Sequence, residues 1–340
     1  MFKLVKKQVK KPISLRDHYQ RRNKVLVKRR CGGFGDILVQ RMMFEDMSAT
    51  GMDITFACPL YYLHMAKNHP FAKAIRIEDA KEEEFGVVYD ITTVCRVHEA
   101  KMGDNNKDNR SDIWAAHCGI ELKNHNMFLA ANEKVVEQFR DYYRGKKTVL
   151  LATQSTNDEF GMAKSLTNEQ IEALVDGLRK LGYHPISVHN EIQAVYESLG
   201  VEQFTDLDID PWIALVAAAD FIISVDTGTF HIAGGLKKPL VGVFSFTDGK
   251  VYGKYYDFVL VQKHRDNGDW DCGPCFNVGF CPKSTEIMKP CMTTISANDI
   301  LQGLVVASKM SHSEENDRKK GRIALTVQTS KTGCYHETSA

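Results

Sequence analysis

Three short segments of this 340-residue chain hold residues able to do acid–base chemistry or bind anions. The first is RRCGGFGDIL, where Gly32-Gly33-Phe34-Gly35-Asp36 joins an apolar run to an amphipathic one. Glycines at a strand-to-helix turn let a ligand approach the backbone, and the following helix N-terminus favours an anion. Gly33 and Gly35 are therefore backbone turn positions beside a ligand. No Gly-Lys-Ser/Thr follows, so this is not a P-loop, and Leu38 stands where the dinucleotide fingerprint needs Gly or Ala. Asp36 has two readings: it caps the helix, or it serves as a general base at the strand end where open α/β sheets place ligands.

The second segment, FIISVDTGTFHIAGGLKKPLVGVF, is a buried strand, a polar turn, a short helix and another buried strand. At that helix N-terminus the hydroxyls and amides of Thr227, Gly228 and Thr229 make a diphosphate cradle, or simply a helix cap. His231, one turn inside, faces the same ligand or packs in the core. In the third segment, LLATQSTNDEFGMAKSLTNEQ, a strand runs into a polar loop and a helix with Thr167 and Gln170 as capping box. Lys164 in that loop either neutralises a phosphate or is exposed to solvent.

The elements that must position these residues alternate between β and α. Strands are expected at 24–29, 53–57, 73–77 and 86–91, then at 148–153, 184–188, 221–225, 239–244 and 258–262. Helices are expected at 36–49, 60–68, 111–119 and 132–144, then at 167–182, 190–199, 211–219, 229–236 and 296–308. Two consecutive sets of such units, with a seam near Tyr143–Lys147, predict an α/β protein of two doubly wound Rossmann-like domains. The division reads as a basic arm at 1–23, domains at 24–145 and 146–310, and a disordered tail at 311–340.

The net charge of +1 hides an asymmetry: residues 1–30 hold twelve Lys or Arg and one acid, leaving −10 on the remainder. Such an arm suits an anionic membrane surface or a nucleic acid, or is a solvated leader. No apolar run approaches the roughly 18 residues of a bilayer span, and MFKLVKKQVKKP lacks a signal-peptide core. A cytoplasmic location is expected, with the inner membrane face as a peripheral station. Nine cysteines in a reducing compartment are not a disulfide framework. Four of them, Cys272, Cys275, Cys281 and Cys291, follow a C-x2-C-x5-C-x9-C spacing. Four thiolates so close suit a structural zinc or iron site, while reversible redox chemistry or unliganded thiols are the alternatives.

Taken in order, the three segments resemble glycosyltransferase family 9, the ADP-heptose:lipopolysaccharide heptosyltransferases and their relatives. GDIL is similar to that family's GD-[VI]-L turn, and SVDTGTFHIAGGLKKPLVGVFS to its D-[ST]-G-x-x-H-x-A signature, within a resemblance spanning 24 to 308. The resemblance implies a GT-B fold, Asp36 as general base, and donor contacts at Asp226, Thr227, Gly228 and His231. It adds Thr153 and Gln154 in the matching strand-end loop and Lys164 on the leaving diphosphate, although the loop from Thr153 to Lys164 is longer than is typical. Family members that modify autotransporter adhesins carry a cysteine-bound iron in the C-terminal domain, which implies a structural metal here, away from the chemistry.

The expected activity is thus inverting transfer from a nucleotide-diphosphate sugar, an ADP-sugar first, to a glycan, protein or other hydroxyl acceptor, with no catalytic metal. The acceptor stays open among lipopolysaccharide core sugars, a protein and a modified nucleic-acid base. A rival reading is a nucleic-acid-binding or nucleic-acid-modifying protein using the arm and the cysteines. A third is a transferase fold retired to assembly.

Overall fold

The computed structural model describes residues 22–156, 159–263, 272–276, 281, 283–313 and 325–326. The basic arm, apart from its last two residues, and most of the expected tail lie outside them. Two all-parallel sheets organise the chain. In the first, β1 (Lys24–Lys28), β2 (Asp53–Cys58), β3 (Ala72–Arg76) and β4 (Val87–Asp90) run in the order β3-β2-β1-β4. In the second, the strands are β5 (Thr148–Ala152), β6 (His184–His189), β7 (Glu202–Thr205), β8 (Phe221–Val225), β9 (Leu240–Phe244), β10 (Val259–Gln262) and β11 (Leu325–Thr326). Their order is β11-β10-β9-β8-β5-β6-β7.

Parallel strands covered by helices on both faces read as continuous apolar runs, and VLV, VLL, FIISV and LVGVF do. The strand order reverses at β1, between β2 and β4, and at β5, between β6 and β8. A doubly wound sheet opens a crevice beyond the carboxyl ends of the strands at such a reversal. Both halves therefore place a ligand-accepting edge where the informative sequence segments begin. This two-sheet arrangement is the GT-B fold.

Local differences from the periodicity have physical causes. The expected helix 36–49 is two, Phe34–Arg41 and Phe44–Ala49, with Met42 closing the first. Arg41 anchors that first helix by donating to the carbonyls of Met127, Met65, Lys67 and Phe128 at 2.7–2.9 Å. The expected helix 190–199 shortens to Ala194–Ser198, since Gln193 at its start is tied to the Gln203 side chain. β7, EQFT, is a half-buried edge strand without an apolar run, and the helix Val94–Met102 buries only Cys95. Neither gives a strong periodic signal. Asn168–Lys180 is the expected capped helix, with Thr167 and Gln170 bonded reciprocally and Ile171, Leu174, Val175 and Leu178 buried. The helix Glu133–Tyr142 packs on the second half, with Phe139 against Phe204 and the adjoining Tyr143 donating to Glu202.

The helix Gly228–Gly235 is held by Phe230, which is fully buried and edge-on to Phe244, Tyr256 and Phe258 at centroid distances of 5.0–5.5 Å. Phe230→Ala should cost about 3–5 kcal/mol. A urea titration followed by fluorescence should show a lower midpoint for the variant, and an unchanged midpoint would mean that the ring packs elsewhere.

Candidate active site

The carboxyl ends of β1, β5 and β8 face one cleft of about 710 Å³ between the two sheets. From the first half Gly33, Gly35 and Asp36 line it, and from the second Gln154, Lys164, Asp226, Thr227, Gly228, Thr229 and His231. The cleft brings together every candidate acid–base or donor residue except Thr153. Thr153 directly follows β5 and is buried, with its hydroxyl 2.6 Å from that of Tyr196. Its side chain points into the core rather than the cleft.

The two halves meet at the N-termini of the helices Phe34–Arg41 and Gly228–Gly235. A Cβ on Gly35 would stand 2.4 Å from the His231 ring, and one on Gly228 would stand 2.6 Å from Trp212. Only glycine permits this approach. The aromatic rings of Phe34, Tyr62 and Trp212 pack edge-to-face around it, with Phe34 at 5.3 Å and 5.9 Å from the other two.

Asp36 is enclosed by cations. Arg29 donates to Oδ2 at 2.8 Å, the Gly33 amide to the same oxygen at 3.1 Å, and Arg110 to Oδ1 at 2.5 Å. The Gly33 bond is the helix cap; the two guanidiniums are more than a cap requires. Burial alone pushes this carboxyl up, but Arg110, Arg29 and the Gly33 amide outweigh it and hold the carboxyl far below the usual carboxylate range. Arg110 is itself gripped by Glu99 at 2.6 and 2.9 Å and lies over the Tyr252 ring.

On the opposite wall, Asp226 follows β8 and accepts from Lys164 at 3.3 Å and from the Thr247 hydroxyl at 3.2 Å. Burial raises its carboxyl and Lys164, then His231, more than offset this, so it too stays below the ordinary range. Lys164 is therefore buried in an ion pair, not exposed in a loop. No side chain caps the first turn of the helix Gly228–Gly235, where Thr227 is the N-cap residue. The Trp212 indole N–H donates to the Thr229 hydroxyl at 3.3 Å. His231 shares a 2.9 Å hydrogen bond between Nδ1 and the Tyr256 hydroxyl, and burial pushes its pKa down to about 4. The ring is neutral at pH 7.

Sequence reasoning missed several residues of the site. Arg29, which holds Asp36 from behind the cleft wall, is at a strand end and could have been found by the topological rule, as could His189, which lines the cleft at the end of β6. Arg110 gives no such signal, because it starts a helix 74 residues from Asp36.

The four cysteines are half-buried. Burial and the fields of Cys275, Cys281 and Cys272 push the Cys291 thiol up to about 12, so the four thiols share one neighbourhood. Among the described residues no group of three or more His, Cys, Asp or Glu is placed to hold a metal ion. The donor set suits a soft or borderline metal, whereas the geometry is not that of an assembled site. The segment is not remote from the cleft either, because Phe276 packs at 6.0 Å on Tyr252, which lines it. No described helix is long and apolar enough to cross a membrane.

The depressed histidines fix a sign for acid stability. His231 and His189 lie at about 4 and His69 at about 3, each lowered first by burial from an unfolded value near 6.5. Between pH 6.5 and 4 the unfolded chain binds more protons, so this stability is complete above 6.5 and is lost as pH falls. Asp36 and Asp226, also depressed, act in the same direction at lower pH. The urea midpoint should fall from pH 7 to pH 4; a flat profile would contradict the buried neutral imidazoles.

Residues 188–276 match the profile of glycosyltransferase family 9 (heptosyltransferase). No curated protein sequence matches the chain. Its backbone is similar to that of a glycosyl transferase family 9 protein from Veillonella parvula DSM 2008, with TM-score 0.63, 11% identity, and coverage of 86% of this chain and 98% of that one. It is also similar to TibC from enterotoxigenic E. coli H10407, an iron-containing dodecameric glycosyltransferase, with TM-score 0.61, 16% identity and coverage of 88% and 78%. A third likeness is to E. coli ADP-heptose lps heptosyltransferase II, with TM-score 0.55, 12% identity and coverage of 85% and 99%. The family's profile thus lies over the wall that carries Asp226–His231, and the GT-B fold is shared over the whole chain.

Proposed function

We propose that the protein transfers a sugar, with inversion, from a nucleotide-diphosphate sugar to a hydroxyl acceptor. The observation that carries this reading is the juxtaposition in one cleft of a carboxylate, Asp36, and an uncapped helix N-terminus with Lys164 beside it. Sugar transfer separates a cation-like anomeric centre from a growing negative charge on the diphosphate. The N–H groups of the helix Gly228–Gly235, the Thr227 and Thr229 hydroxyls and Lys164 supply positive potential on the departing side. Asp36, from the other half, takes the proton of the acceptor hydroxyl as its oxygen bonds to the anomeric carbon. The bond to the diphosphate breaks, and its electron pair leaves on the phosphate oxygen. Attack from the face opposite the leaving group inverts that carbon. His231, neutral and fixed by Tyr256, shapes the wall without adding charge.

The first donor is an ADP-sugar such as a heptose. One relative is described in complex with ADP-D-beta-D-heptose and another as an ADP-heptose enzyme, which supports that order of choice. The acceptor is a glycan such as lipopolysaccharide core, or a protein hydroxyl. Cys272, Cys275, Cys281 and Cys291 would hold a structural iron or zinc, as the thiol set and the iron in TibC support, and a metal there would stiffen the segment that backs Tyr252.

A thermal-shift panel of ADP-, GDP-, UDP- and CDP-sugars tests the class, since a ligand of the native state raises its stability. An ADP-sugar should give the largest rise, and no response to any of them would sink the reading. Asp36→Asn should lower transfer by about 10²–10⁴-fold while donor affinity holds. Full activity in that variant would eliminate Asp36 as the base. Elemental analysis of purified protein should find one iron or zinc per chain, lost when the four cysteines become serine; a metal-free, fully folded sample would remove the metal.

A further inference from the structure

The arrangement around Asp36 raises a difficulty that the proposed reaction must resolve. A general base works best with a pKa near the operating pH, and a carboxylate held by two guanidiniums is ionised but a poor proton acceptor. Three of its roughly four lone-pair positions are already taken. Something must let go.

The two arginines differ in what holds them. Arg29 is buried, with its guanidinium 4.6 Å over the Trp114 ring and a side chain only 5% exposed. Arg110 is 24% exposed at the side chain, lines the cleft, and rests on the face of Tyr252 at 5.1 Å. Its field is felt by Asp226 and His231 on the opposite wall as well as by Asp36. A diphosphate seated on the helix Gly228–Gly235 would thus enter the range of a cation parked on a carboxylate. It carries more negative charge than that carboxylate and offers several acceptor oxygens to a planar guanidinium.

We propose that Arg110 is a donor-sensing clamp: a diphosphate at the N-terminus of the helix Gly228–Gly235 draws its guanidinium off Asp36 and frees the carboxylate to accept the acceptor's proton. The proposal rests on the reading of the cleft as a nucleotide-diphosphate sugar site, and names a positioning residue within it. Glu99 keeps its two bonds to the far edge of Arg110, so the side chain pivots and is not released. The other titratable or charged groups facing Asp36 are Arg29 on β1's end, Tyr62, Cys95, His231 and Tyr252. Of these Tyr62, Cys95 and Tyr252 stay protonated and His231 stays neutral near pH 7, which leaves Arg110 as the adjustable partner among the described residues. The base is then weak until the donor is in place, and donor binding precedes productive acceptor binding.

The test is carbon NMR of protein labelled at its aspartate carboxyls, with the Asp36 signal identified by its loss in Asp36→Asn. ADP is the probe, and calorimetry establishes that it is bound. Saturating ADP should raise the Asp36 titration midpoint by about one pH unit or more, about a tenfold change in the protonation equilibrium. Arg110→Gln should raise the midpoint in the free protein and remove the response to ADP. A midpoint unmoved by bound ADP overturns the clamp and leaves the donor site standing. If ADP, GDP, UDP and CDP all fail to bind, the donor reading falls and the clamp falls with it. The wild-type comparison needs no Arg110 variant, so it decides the matter even where Arg110→Gln does not fold.

Discussion

The contact on which the site depends is that of two helix N-termini arriving from different sheets. Gly35 lies so close to His231 that a side chain there would push the walls apart, and a Cβ on Gly228 would be crowded by Trp212 of its own half, with Phe34 across the gap at 3.6 Å. The first helix begins after β1, where its sheet reverses strand order, and the second after β8, the neighbour of β5 at which the other sheet reverses, so each half contributes the edge at which doubly wound sheets take ligands. Arg41 ties the first helix to four carbonyls, and Phe230 fixes the second among aromatic rings. The cleft is thus assembled from rigid elements, as a site needs if it is to hold reacting atoms in place.

Charge inside the cleft is arranged in pairs. Lys164 sits on Asp226, and Arg29 and Arg110 sit on Asp36, with Glu99 behind Arg110. Buried charges need such partners, because an isolated ion taken out of water costs several kcal/mol. The pairing leaves the free cleft nearly neutral yet places cations within reach of an incoming diphosphate. Ligand binding then exchanges one set of partners for another, which a fixed field of unpaired cations could not survive without a ligand.

Much of this was legible in the sequence where chemistry and local structure coincide. GGFGD and DTGTFH announce glycine turns leading into helices, and the buried strands are plain apolar runs. The directions of side chains were less legible. Thr153 was expected at the donor, but its hydroxyl meets Tyr196 in the core, whereas Gln154 one residue on lines the cleft. Lys164 reads as a loop residue and is instead buried against Asp226, a partner 62 positions away. Arg110 and Glu99 belong to helices with weak apolar periodicity and acquire meaning only through tertiary contact with Asp36. The family resemblance implied a cysteine site away from the chemistry, and Phe276 within that segment packs on Tyr252, a cleft residue.

The account's central claim is that both halves act on one bound donor. A crystal structure of the protein with ADP tests it most directly. The diphosphate is predicted against the amides of Gly228 and Thr229, within reach of Lys164, with the Asp36 carboxylate facing it across the cleft. ADP bound anywhere else, or with its diphosphate directed away from that helix and toward solvent, would contradict it.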